Sequence, residues 1–104
     1  MVVIRNVFQL KFGKAKEAVA LMKEGLAIQK RLASSAGLQM SHRVLSDVTG
    51  PFYSLVLEIT VPSVGAFEQT AAAIMGNADW QANYQKLVPL VESGHREIYT
   101  ISAE

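Results

Sequence analysis

The stretch HRVLSDVTGPFYSLVLEITV, residues 42–61, decides the fold. Two runs rich in β-branched and aromatic residues flank DVTG at 47–50, the signature of a strand, a turn and a second strand. Side chains alternate along a strand, so Tyr53, Leu55, Leu57, Ile59 and Val61 share one face and Ser54, Val56, Glu58 and Thr60 the other. The first set is wholly apolar and belongs against a core. The second carries Glu58 in mid-strand, a carboxylate that needs a partner.

Working outward, the preceding strand, within LQMSHRVLS (38–46), offers Met40, His42 and Val44 on one face and Gln39, Ser41 and Arg43 on the other. A slip of one residue would exchange the two sets, and matching apolar with apolar puts Met40 and Val44 against the core and Arg43 beside Glu58. The N-terminal run VVIRNVFQLK (2–11) is a further strand, closed by the turn at Phe12-Gly13. Its core side holds Ile4, Asn6, Phe8 and Leu10, and its other side Arg5, Val7 and Gln9. Between these strands, Ala15, Ala18, Val19, Met22, Leu26 and Leu32 recur at helical spacing, so 14–33 is a long amphipathic helix that SSAG (34–37) stops. After the hairpin, Ser63 is an N-cap for a helix carrying Val64, Phe67, Ala71, Ile74 and Met75. Gly76-Asn77 interrupts it, and a second start at Asn77 leads through Trp80, Tyr84, Leu87, Val88 and Val91. The interruption predicts a hinge. Pro89 ends or distorts the second segment, Gly94 closes it, and HREIYTI (95–101) is the last strand.

The 104 residues make one domain, 1–104, with a modest core. Half are hydrophobic, 18% are charged and the formal net charge is +1, a balance that favours neither a nucleic-acid partner nor disorder. The four arginines and six lysines are dispersed and are not interleaved with aromatic residues, so no nucleic-acid partner is expected. Cysteine is absent, which removes thiolate metal sites and cysteine nucleophiles and is compatible with a reducing compartment. Arg5 and Asn6 break the N-terminal apolar run before it reaches the length of a signal or spanning helix. A cytoplasmic protein with no membrane partner is expected.

The order β-α-β-β-α-β is that of the α+β, ferredoxin-like fold, a four-stranded antiparallel sheet in spatial order 4-1-3-2 with two helices on one face. The opposite face is then bare. The strand ending before Gly13-Lys14, the DVTGPFYSLVLE hairpin, the broken second helix with Trp80 and the closing SGHREIY strand together resemble the dimeric α/β-barrel superfamily, and within it the NIPSNAP-like and antibiotic-biosynthesis-monooxygenase-like small domains. The resemblance implies that two copies join their bare sheet faces as a barrel. It leaves the chemistry open, because members range from cofactor-free oxygenases through haem-degrading enzymes to proteins without known activity.

Two groups of residues stand out. On the bare face, Arg5, Gln9, Arg43 and Glu58, with Val7, Val56 and Ile98 beside them, read as an interface with an internal polar network. On the helix side, Asn6, His42, Trp80 and Tyr84 are candidates for a cavity. Asn6 with Trp80 resembles the pair used by some oxygenases of the superfamily, although the histidine that haem-degrading members place on the second helical segment is absent here. His42 and His95 fall on opposite edge strands, and no HxxxH or HxH spacing occurs, so no metal or other cofactor is expected. No GxSxG elbow supports hydrolase chemistry, and no catalytic residue is assigned. Three functions fit: a homodimer binding a small apolar or aromatic molecule between sheet and helices, a cofactor-independent or haem-linked monooxygenase, and a structural or assembly module.

Overall fold

The third strand, β3 (Ser54–Val61), alternates as its sequence does: Leu55, Leu57, Ile59 and Val61 are buried, and the residues between them are partly exposed. The computed structural model describes all of residues 1–104. Around β3 it builds β1 (Val2–Leu10), β2 (Ser41–Ser46) and β4 (Val91–Thr100) into one sheet of order β2-β3-β1-β4, with every neighbouring pair antiparallel. Helices α1 (Ala15–Ser35), α2 (Val64–Met75) and α3 (Ala78–Leu87) complete the ferredoxin-like α+β fold. This is the expected 4-1-3-2 order, counted from the other edge. No helix is long and apolar enough to cross a membrane.

The core is a single cluster in which Ile4 and Leu10 of β1 and the four apolar residues of β3 meet Ala18 and Met22 of α1, Leu87 of α3 and Leu90. Each large side chain fully buried here contributes about 1.5–3 kcal/mol relative to exposure. The hairpin register pairs Arg43 with Glu58 and Val44 with Leu57, as the apolar matching required. A seven-residue loop, 47–53, joins β2 to β3. The Asp47 carboxylate accepts the Ser54 backbone N–H at 3.1 Å, and the Gln9 amide donates to the Phe52 carbonyl at 2.7 Å, tying the loop to β1. Tyr53 belongs to this loop, with φ 61, and not to the strand where its alternation had placed it.

Further differences from the sequence reading concern β4. The last strand starts at Val91, four residues before HREIYTI, because α3 ends at Leu87 and Pro89 sits in a single 3₁₀ turn, Val88–Leu90. Val91 is therefore a strand residue, and Gly94 lies inside the strand instead of closing a helix. Gly94 pairs with Phe8, and a Cβ there would stand 3.1 Å from the Phe8 ring and 3.2 Å from the Val7 carbonyl. The glycine makes room for Phe8. Ile98 pairs with Ile4, which puts it on the helix side of the sheet and not on the bare face.

The helices cover only part of the sheet. Helix α3 packs chiefly on α1, where Gly25 permits the approach: a Cβ there would stand 2.8 Å from Asn83 Oδ1. Helix α2 leans on β3 and α1, which leaves an opening above β1 and β4. The molecule measures 37 × 36 × 17 Å, one layer of sheet and one of helix, and only 15 of its residues are buried. A compact monomer of 11.3 kDa exposes about 5,700 Å² by the usual scaling, whereas this chain exposes 6446 Å². The excess, roughly 700 Å², fits a flat molecule with an open cleft on one side of its sheet and no covering layer on the other.

Candidate functional site

The opening above β1 and β4 is a cleft of about 1120 Å³. Its floor is Phe8 of β1 with Leu57 and Ile59 of β3, and its roof is Phe67 and Ile74 of α2 with Trp80 of α3. Sixteen of its 27 lining residues are hydrophobic and none is acidic, a mainly apolar lining with a few polar groups.

Three of the four candidate cavity residues line this cleft: Asn6, Trp80 and Tyr84. The Trp80 and Tyr84 rings stack, with centroids 5.2 Å apart and planes 16° from parallel. Their segment starts where Asn77 caps α3 by accepting the Trp80 backbone N–H at 3.0 Å, and the Gln81 amide reaches across the helix break to the Met75 carbonyl at 2.8 Å. The hinge position is thus braced by a side chain. Asn6 Oδ1 accepts a hydrogen bond of 2.7 Å from Arg96 Nε, and the Arg96 guanidinium lies 5.2 Å from the centre of the Phe67 ring. Sequence reasoning missed Arg96. Alternation along HREIYTI puts Arg96 on the face of Ile98, and the pairing of Ile98 with Ile4 turns that face to the helices.

His42 is held apart from the cleft. It lies on the helix side of edge strand β2, where Nε2 is 3.2 Å from Gln29 Oε1 of α1 and Nδ1 is buried without a partner. Burial lowers its pKa from 6.5 to about 4, and Lys30 nearby adds to the shift. His95 contributes to the rim of the cleft, but it pairs with Val7, a bare-face residue, and its ring stands 3.5 Å from Glu97. The one histidine at the rim is turned to Glu97, and the second helical segment carries none, so haem chemistry gains no support from these residues.

The bare face carries the second group. Cross-strand pairing lines up Arg43, Glu58, Arg5 and Glu97 in one row over all four strands, with alternating sign. Glu58 Oε1 accepts from Arg43 Nε at 3.0 Å, and its other oxygen is 3.8 Å from Arg5 Nε. Only 12% of the Glu58 side chain is exposed, against 38% for Arg5 and 70% for Arg43. Arg5 Nε is itself buried without a hydrogen-bond partner. Gln9 shares the face, but its amide is engaged by the carbonyls of Leu10, Phe52 and Tyr53, outside the charged row. Rows of Leu45, Val56, Val7 and His95 and of Ser41, Thr60, Val3 and Tyr99 flank the charges.

No family model matches the chain, and no curated protein matches its sequence. Solved structures do match. An uncharacterized NIPSNAP domain protein from Burkholderia xenovorans superposes with a TM-score of 0.84 over 99% of this chain and 96% of its own, at 19% identity. The chain shares the fold of NIPSNAP proteins. A NIPSNAP family protein with unknown function from Agrobacterium tumefaciens gives a TM-score of 0.82 over 95% of this chain and 86% of its own, at 20% identity. An antibiotic biosynthesis monooxygenase gives 0.69 over 96% of this chain and 97% of its own, at 13% identity. Identities this low establish the NIPSNAP-like fold and assign no reaction.

Proposed function

We propose that this protein is a homodimer that binds a small, mainly apolar or aromatic molecule in the cleft between its sheet and helices. The observation that carries the reading is the cleft itself: a large concavity with an apolar floor and roof, a few polar groups and a stacked aromatic pair, the usual composition of a small-molecule site. The copy that covers the bare face is argued from area and charge. A sheet face with no covering layer, in a chain that exposes more surface than a compact monomer of its mass, has area to give to a partner, and an interface of standard size takes ~800 Å² from each. An even row of alternating charges is also self-complementary: a two-fold axis running along the strands between β3 and β1 sets each cation opposite a carboxylate. A single domain acting without metal, nucleic acid or membrane, in the cytoplasm, completes the reading.

The test uses Trp80, the one tryptophan of the chain, as a reporter inside the cleft. Titration with the neutral fluorophore N-phenyl-1-naphthylamine is expected to quench Trp80 with saturation at one probe per chain. Ala71→Phe, which fills the cleft from α2, is expected to abolish the response. Non-saturating quenching that is equal in both proteins contradicts the reading.

A second reading, a cofactor-independent monooxygenase, is favoured by one observation: Asn6 and Trp80 line the same cleft. Oxygen uptake with quinol-type substrates, lost in Asn6→Ala and Trp80→Phe with binding retained, would establish it.

A further inference from the structure

Arg96 is the one strong cation of the cleft, and nothing in the protein neutralises it. Its partners are neutral: Asn6 accepts from Nε, and the Phe67 ring supports the guanidinium plane. No carboxylate lies within ion-pair distance of it, whereas Arg5, Arg31 and Arg43 each have one. The two contacts anchor the guanidinium at Nε and over the Phe67 ring, and the terminal nitrogens of this exposed side chain make no hydrogen bond to the protein. A guanidinium anchored through Nε, with that outer edge free beside an apolar concavity, has the geometry for a bidentate carboxylate. With no acidic residue in the lining, an anion meets no repulsion there.

We propose that the cleft takes an apolar monocarboxylate, its carboxylate on the terminal nitrogens of Arg96 and its hydrocarbon body along Phe67, Ile74 and Trp80. This rests on the binding reading above and names the chemical class of its ligand. Asn6 acts as the positioning residue, holding Arg96 through Nε.

The test compares decanoate with decanol, ligands of equal chain length that differ in charge, by Trp80 emission. An ion pair at an exposed guanidinium makes decanoate bind about 5-fold more tightly than decanol. Arg96→Gln is expected to erase that preference, bringing the two affinities together, and Arg96→Lys to restore part of it. Arg31→Gln, on the outer surface and paired with Asp79, is expected to change neither ligand. Equal affinities in the unaltered protein, or a preference that survives Arg96→Gln, overturn this inference and leave the cleft as a binding site for neutral molecules. Failure of both ligands overturns the binding reading as well.

Discussion

Replacing Glu58 by Gln removes the charge that two arginines share while keeping the shape of the side chain. In a single protomer Arg5 and Arg43 both reach water, so the pairs behave as partly exposed ones and the loss is about 1 kcal/mol. When a second copy covers the face, Arg5, whose Nε is already buried, loses its remaining water. Stranding a covered charge costs about 3–5 kcal/mol. The difference, about 2–4 kcal/mol per chain and so at least about 4 per dimer, falls on association and weakens it by a factor on the order of 10³ or more. Sedimentation velocity across a concentration series reads the dissociation constant, and urea unfolding of the dissociated chain reads the smaller protomer term. Glu68→Gln, an exposed carboxylate with no ion pair, serves as the control. If Glu58→Gln leaves association and stability unchanged, the carboxylate faces water in the working protein and the interface built on this row is wrong.

Other residues give independent tests. Gly94→Ala is expected to cost about 1–3 kcal/mol, by forcing Phe8 and the β1 backbone apart, and to lower the melting temperature measurably; an unchanged midpoint means that Phe8 has room to spare. His42 stays neutral in the folded protein down to about pH 4, while the unfolded chain takes up its proton near 6.5. The folded state therefore loses stability as pH falls from 6.5 towards 4, with no contribution from His42 above that window. In urea unfolding at pH 7 and pH 4.5, His42→Leu should lose less stability on acidification than the unaltered chain, and equal losses contradict the assignment. Amide exchange at residues 75–78, where α2 and α3 meet, should be faster than in the middle of α1; equal protection would mean that the Gln81 brace makes the two helices one rigid body.

The sequence carries the sheet well because period-two alternation in β3 is strict and leaves one register that buries Leu55, Leu57, Ile59 and Val61 together. The split of the second helical region was readable for a local reason: Asn77 is a capping residue after a glycine, and it caps. Strand β4 was harder to place. Glycine inside a strand looks like a terminator in sequence, and only the three-dimensional approach of Phe8 shows why it is there. That error moved the start of β4 and reversed its faces, hiding Arg96 and misplacing Ile98. Likewise, the face of His42 alone points to the cavity, whereas in the fold α1 lies over β2 and Gln29 takes the imidazole as its partner. The cleft itself follows from where α2 and α3 pack, and the close approach of α3 to α1 at Gly25 and Asn83 joins residues 58 positions apart in the chain.

The most direct measurement is a native mass spectrum of the full chain at micromolar concentration, recorded before and after addition of decanoate. The account predicts a species of two chains that takes up one decanoate per chain. A bare single chain of 11.3 kDa in both spectra contradicts it.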